Sequence, residues 1–576
     1  MSIGGHSGAV RQAIHSCRRH ARAIFAFSAV LNLLHLAPTL YMLQIYERAI
    51  PTQSQATLLF MTLFVLLALG MLAMLDHLRT RLLIRGGVLI DRELGPQVLR
   101  AAISGGATAE SRQAMREFDA LRQVLSGPSF AALCDLPWTP IYVVACFLVH
   151  PAIGALGLVG LVLLPLLVWR HDRGTREPLE RAQQAAARSY VSQDQMLADR
   201  DAIRALGMAP AMIERQLRLR REMLELQTSA SFSAGRYGGW SRFTRLSLQS
   251  LALGLGAWLA IHNQVSAGAV FAASFLIARA LSPVEQLIGA WKSLSQAGSG
   301  YRMIERLVDG SVDDNSFHTA LPAPKGALQL EQVSLNQPFG DGKILENVSF
   351  EVQPGEVVAV IGPSGAGKTS LMRVIAGLTR PSAGDVRFDG AEQRDWDLNL
   401  LARHLGYLPQ EPSLFAGTVK ENICRFDNEL SSDAAAVDAA VIEAATSAGA
   451  HDFILRLQGG YDYPSLHRGA NLSSGQAQRV AFARSLYGRP PILLLDEPNA
   501  HLDNEGDAKL VSTLQRLKEE GVTILVVSHR LSILPAVDKI LVMRGGRVHL
   551  FGPRDEVLPK VTAPNVRAIK PQQAAG

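Results

Sequence analysis

A chain of 576 residues is too long for one hydrophobic core and should divide into at least two domains. Hydrophobic residues make up 48% of it, and 57 basic against 51 acidic side chains leave a net charge of +6. The basic residues flank apolar runs and form no stripe interleaved with aromatics, which argues against nucleic acid as a partner; the four scattered cysteines (Cys17, Cys134, Cys146, Cys424) argue against a disulfide framework or a zinc site.

Residues 1–22 form a basic arm carrying Arg11, Arg18, Arg19 and Arg22. The run Ile24 to Tyr46 that follows has no formally charged residue. It is too long for the apolar core of a signal peptide and reads as an uncleaved first span, with the N-terminus in the cytoplasm and with His35 and Pro38 as packing and kink features. Thr57 to Leu75 makes a second span. The arginine-rich stretch Asp76 to Ser126 belongs on the cytoplasmic side. From Leu136 to Trp169 an uncharged stretch too long for one helix is broken at His150-Pro151, which predicts a helical hairpin. A second basic excursion runs from Arg170 to about Arg245. The last pair of spans, 246–261 and 267–290, is joined by the uncharged turn 262–266. An all-α, multi-pass membrane domain of six spans is therefore expected over residues 23–303. In the last span Arg279 and Glu285 leave two readings open, a polar translocation path or a helix that runs past the inner membrane edge.

A polar linker with turn formers and prolines is expected at 304–326, an α/β domain at 327–560 and a disordered tail at 561–576. Strand-like segments at 328–333 and 348–352 precede the apolar strand 357–361. That strand runs into a glycine loop of Gly362, Pro363, Ser364, Gly365, Ala366, Gly367, Lys368 and Thr369, and a helix continues through Ser370 to Leu378. Strand, glycine loop and helix is the setting in which backbone N–H groups wrap phosphates at a helix N-terminus. Lys368 adds a point charge for the β/γ-phosphates and Thr369 a hydroxyl for Mg²⁺. The strand 492–495 delivers Asp496, suited to hold Mg²⁺, and Glu497, suited to act as general base on an attacking water. A further strand, 523–527, ends in Ser528 and His529, the latter within reach of a γ-phosphate.

The second half resembles an ABC ATPase. The resemblance rests on the Walker A loop 362–369, the Q-loop glutamine Gln410 in Tyr-Leu-Pro-Gln-Glu-Pro, the signature Leu472 to Gln476, the Walker B strand with Glu497, the D-loop 499–503 and the switch histidine His529. It implies ATP and Mg²⁺ as ligands, with Thr369, Gln410 and Asp496 around the metal. Glu497, His529 and Gln410 would be catalytic. Ser473, Ser474, Gly475 and Gln476 would act in trans on ATP held by a second copy, with Asp503 at the interface, which makes a homodimer the simplest assembly. Two positions depart from the family pattern: Ser474 stands where glycine is usual, and Gln337 where an adenine-stacking aromatic is usual, with Phe339 two residues on.

Spans followed by an ATPase domain on one chain resemble the type IV exporter fold, with coupling helices near 118–122 and 208–213. Tyr41 to Arg48, Cys134 to Tyr142, Arg279 to Gln286 and Asp496 to Asp503 resemble the protease, lipase and S-layer exporting branch of type I secretion ATPases. That likeness implies a bacterial inner-membrane protein with both termini cytoplasmic. It implies a periplasmic membrane fusion (adaptor) protein and a TolC-type outer-membrane channel as partners, and an unfolded polypeptide with a C-terminal signal as cargo. The early first span implies no N-terminal peptidase-like domain. The alternative is a lipid or drug exporter of the same fold.

Overall fold

The computed structural model describes residues 18–104, 109–312, 321–337, 340, 342–466, 469, 471–502 and 504–562. Most of the basic arm, Phe339, the D-loop Asp503 and all but the first two residues of the expected tail lie outside them; those two end the helix Arg554–Thr562. The chain forms two compact units, Met1–Ser316 and Phe317–Gly576.

Among its described residues the first unit contains helices and turns and no strand. It comprises α1 (Arg18–Leu34), α2 (Ala37–Gln44) with a π-helical turn at Ile45–Ala49, α3 (Gln55–Ser104), α4 (Ala109–Leu125), α5 (Pro128–Asp135), α6 (Thr139–Val149), α7 (Pro151–Ala198), α8 (Arg200–Ala205), α9 (Ala209–Ile261), α10 (Ala267–Gly289) and α11 (Trp291–Val312). Among the described residues five stretches are long and apolar enough to cross a membrane: 18–49, 55–104, 128–149, 151–198 and 267–289. The span expected at 246–261 is the C-terminal end of α9, which does not reach the same length of apolar sequence. The apolar part of α3 turns outward, with Phe60 68% and Leu67 74% exposed, as a helix facing lipid should. The apolar stretch of α10 is mostly buried, with Ala273, Ile277 and Leu281 packed against α6 and α9.

Several helices depart from the sequence reading in one way: they outrun the spans. Helix α3 continues through the arginine-rich stretch to Ser104, and α7 and α9 reach far past their apolar parts. The first span breaks at His35–Leu36, and Pro38 sits in the first turn of α2. His150 closes one helix and caps the next, its Nδ1 accepting the Ala152 N–H at 3.1 Å. The linker expected from 304 begins later, because Ile304 and Val308 are buried one turn apart against Phe118 and Leu94 and carry α11 on to Val312. The coupling segment expected near 118–122 lies mid-helix in α4. Phe118 is fully buried there.

A charged network ties α1, α3, α5 and α6 together. Arg79 bonds both Asp135 oxygens (2.8 and 3.0 Å), Asp76 (2.7 Å) and the Ser28 hydroxyl (3.2 Å). Asn32 donates to Asp135 at 3.0 Å, and the Tyr142 hydroxyl donates to Asn32 at 2.8 Å. Glu285 pairs with Arg245 of α9 at 2.5 Å.

Among its described residues the second unit has two main sheets and a small two-stranded one. Its strands are β1 (Leu328–Asn336), β2 (Lys343–Val352), β3 (Val357–Ile361), β4 (Ala383–Phe388), β5 (Ala391–Glu392), β6 (Leu405–Leu408), β7 (Gly417–Thr418), β8 (Pro464–Ser465), β9 (Ile492–Asp496), β10 (Thr523–Val527), β11 (Lys539–Arg544) and β12 (Arg547–Pro553). An antiparallel sheet runs β2-β1-β4-β5, and a six-stranded sheet runs β12-β11-β3-β10-β9-β6, parallel except for β12. The small sheet is β7-β8. The parallel strands are apolar on both faces, as a sheet covered on both sides requires. Val357 and Ala359 enter one core, and Val358 and Val360 the other. Its helices include α12 (Lys368–Ile375), α13 (Ala434–Ser447), α14 (Ser474–Leu486) and α15 (Asn504–Glu519).

Candidate nucleotide site

Strand order assembles the site. The three neighbours β3, β10 and β9 are in parallel register, with Val527 level with both Val360 and Asp496. Their C-terminal ends therefore put the glycine loop, Ser528-His529 and Asp496-Glu497 along one edge of the sheet. Strand β6 pairs with β9, so Gln410, two residues beyond it, belongs to the same edge.

The loop needs its glycines. Gly365 and Gly367 lie at φ +79° and +93°, and Gly367 is the left-handed residue that turns the chain into α12. A Cβ there would stand 2.9 Å from Leu345 and 3.0 Å from the Ile344 carbonyl. Pro363, Ser364 and Gly365 are exposed, Ala366 is buried beneath them, and Ser370 belongs to the first turn of α12. The Lys368 side chain curls back across the loop, its Nζ donating to the carbonyls of Gly362 (2.9 Å) and Pro363 (3.0 Å). Burial pulls its pKa below the usual lysine range, while Glu497 and Asp496 pull it back up.

Asp496 is fully buried, and neither carboxylate oxygen has a hydrogen bond of normal geometry. Burial pushes its pKa up; the nearby Thr369 hydroxyl works against that, Glu497 adds to it, and Lys368 and His529 oppose it. An unpaired buried carboxylate beside a hydroxyl suits a hard divalent cation that takes its other ligands from phosphate and water. Among the described residues no group of three His, Cys, Asp or Glu could hold a metal by itself.

Glu497 has φ +52°, a left-handed conformation costing about 1–3 kcal/mol outside glycine and kept only where the surroundings enforce it. Its N–H donates to the Val527 carbonyl at 3.0 Å. Its side chain is mostly covered, with Oε1 3.3 Å from His529 Nε2. The expected base and switch histidine are thus in contact.

The signature opens α14. Ser473 is its N-cap in a capping box: Ser473 Oγ accepts the Gln476 N–H at 3.3 Å, and Gln476 Oε1 accepts the Ser473 N–H at 3.0 Å. Ser474 is the first helical residue and is exposed, a place where serine fits as readily as glycine. Among the described residues none of these four is hydrogen-bonded to the loop 362–370 of the same chain. The Gln337 N–H donates to the Gly342 carbonyl at 2.8 Å.

Three buried polar residues, Ser528, Asn499 and Gln478, knit the site together, and of these Gln478 stands outside every motif named above. Ser528 Oγ lies 3.4 Å from Asn499 Oδ1, and Asn499 Nδ2 lies 3.3 Å from Asp507. Gln478, one turn into α14, bonds the backbone just after Glu497. The signal for Gln478 was present in the sequence as a polar residue at a core position beside the signature.

A glycine loop, a buried carboxylate, a Glu–His pair and a capped signature helix define the ATP-binding and hydrolysing half of an ABC transporter. Residues 345–500 match the ABC transporter family and residues 128–283 the ABC transporter transmembrane region. The chain is 37% identical over 96% of its length to the type I secretion system ATP-binding protein PrsD of Rhizobium meliloti, 94% of which is covered. It is 27% identical over 92% of its length to the leukotoxin translocation ATP-binding protein LktB of Mannheimia haemolytica, covering 75% of that protein. A bacterial Atm1-family ABC exporter, solved with ATP bound, superposes with a TM-score of 0.81 over 95% of this chain and 97% of the other at 22% identity, a likeness of fold. The protein is a multi-pass membrane, ATP-hydrolysing ABC transporter. It belongs to the type I secretion system ATP-binding proteins.

Proposed function

We propose that this protein energises export of unfolded polypeptides bearing a C-terminal secretion signal. In this reading it works as a homodimer in the bacterial inner membrane, with both termini cytoplasmic, together with a periplasmic adaptor and a TolC-type outer-membrane channel. The observation that carries the reading is the 37% identity to a type I secretion ATP-binding protein across both halves of the chain. Arg79, Arg81, Arg85 and Arg92 beyond the apolar part of α3 support a cytoplasmic placement of that end.

The chemistry follows from the site. The loop 362–370 binds the phosphates of ATP through backbone N–H groups, and Lys368 exchanges its carbonyl partners for phosphate oxygens. Thr369, Asp496 and Gln410 would hold Mg²⁺, which when bound neutralises phosphate charge. Glu497 accepts the proton of the attacking water, and His529, 3.3 Å away, orients that carboxylate and reaches toward the γ-phosphate. Ser473, Ser474, Gly475 and Gln476 of each copy meet ATP held by the other, with Asp503 beside them. Closure of the two ATPase domains passes to the membrane helices, and hydrolysis resets them.

The test is ATPase activity of the purified protein in lipid, with and without C-terminal fragments of secreted proteins. A saturable change in rate that is absent in Glu497→Gln is the expected result. A rate indifferent to every peptide but responsive to lipids or small amphiphiles would replace this reading with a lipid or drug exporter.

A further inference from the structure

Gln478 is 2% exposed and sits on the signature helix, yet its carboxamide is spent on another segment. Nε2 donates to the carbonyls of Glu497 (3.1 Å) and Pro498 (2.6 Å), and Oε1 accepts the His501 N–H (3.1 Å). A second contact backs it: a Cβ on Gly475 would stand 2.9 Å from the His501 carbonyl, so the first turn of α14 lies against the same backbone. The segment so held is the one that keeps Glu497 in its left-handed conformation. Its only other described backbone anchor outside the turn is the Glu497 N–H bond to Val527. Moving the start of α14 therefore moves the carbonyls beside the base.

We propose that Gln478 is a positioning residue that couples the two ATP sites of the dimer, setting the backbone of Glu497 at one site according to whether Ser473–Gly475 is engaged at the other. This rests on the composite-site homodimer proposed above. The physical argument is one of reach. The signature serves ATP on the partner, Glu497 serves ATP on its own chain, and a buried amide with three short bonds joins the two within one rigid helix. A glutamine kept only to fill space would be a poor choice, since a buried carboxamide must find partners for its polar atoms.

The test uses the full chain in lipid nanodiscs, with ATP titrated against hydrolysis. Gln478→Met keeps the length and packing but removes all three bonds. Turnover is expected to fall by about 10- to 100-fold, as for a catalytic group displaced by a fraction of its reach. ATP affinity, read by displacement of a fluorescent nucleotide, should stay within about twofold, and the Hill coefficient should fall from near two to about one. Unchanged turnover, or reduced turnover with the wild-type Hill coefficient, overturns the proposal. If Gln478→Met does not fold, Gln478→Glu carries the same test, since it keeps the acceptor for His501 and loses both donors. Glu497→Gln run alongside separates the two failures. If it remains monomeric with ATP and the wild type titrates with a Hill coefficient of one, the homodimer reading falls and the coupling with it. A dimer that traps ATP, while Gln478→Met keeps its cooperativity, removes the coupling alone.

Discussion

At Glu497 the side chain and the backbone carry separate demands, a carboxylate 3.3 Å from His529 and a left-handed φ that glutamate does not favour. Glu497→Gln keeps the size and the backbone and is expected to lower turnover by about 10²–10⁴-fold, the usual worth of a general base, while ATP stays bound. Lys368→Ala should abolish turnover by weakening phosphate binding itself; steady-state ATPase and nucleotide retention on a gel-filtration column separate the two. Asp496 gives a pH prediction. Burial holds its pKa above the unfolded value, so the native state binds the proton more readily and stability falls as pH rises through that interval. Without nucleotide or Mg²⁺, Asp496→Asn should melt higher than wild type at about pH 8, with the gap closing toward about pH 4 where the unfolded carboxyl is also protonated. A gap that widened on acidification would contradict this. Lys368, Asp496, Glu497 and His529 were legible because each has a chemical reason to stand at its place in a motif. The φ of Glu497 and the bonds of Gln478 were not, because they depend on which segment the tertiary fold brings against them.

Among the elements, the strand ends were read closely and the membrane helices less so. Hydropathy marks where the solvent around a helix changes, whereas the helix itself ends where its hydrogen-bonding ends. Helix α3 crosses from apolar to arginine-rich sequence without a break, and α11 overruns the expected linker because Ile304 and Val308 still find a core. The network around Arg79 was equally hidden, since Asp135 lies far from it in sequence, though both side chains are largely buried. Asp135→Ala leaves the guanidinium without both of its bonds to that carboxylate and should destabilise the membrane unit by about 3–5 kcal/mol. The double variant Arg79→Met, Asp135→Leu should recover most of that. Thermal unfolding in detergent followed by tryptophan fluorescence distinguishes the two outcomes, and equal losses would mean the ion pair itself is what stabilises.

For the whole molecule, each unit carries its own core, and the sheet of the second is covered on both faces by its own residues. A fragment covering 317–576 is therefore expected to fold alone and bind ATP, checked by a cooperative melt that shifts upward with nucleotide. A molten, nucleotide-indifferent fragment would show that the core needs the membrane unit. The first unit draws attention for another reason. Helices of 48 and 53 residues are about 70–80 Å long, against about 30 Å of hydrocarbon. In α7 the apolar start is long enough to cross that layer and leaves a longer polar arm beyond it, and α9 packs alongside α7. A tilt of about five degrees displaces the end of a ~50 Å arm by about 4 Å, so rigid rods of this length can deliver a sub-helical-turn displacement with no internal unfolding.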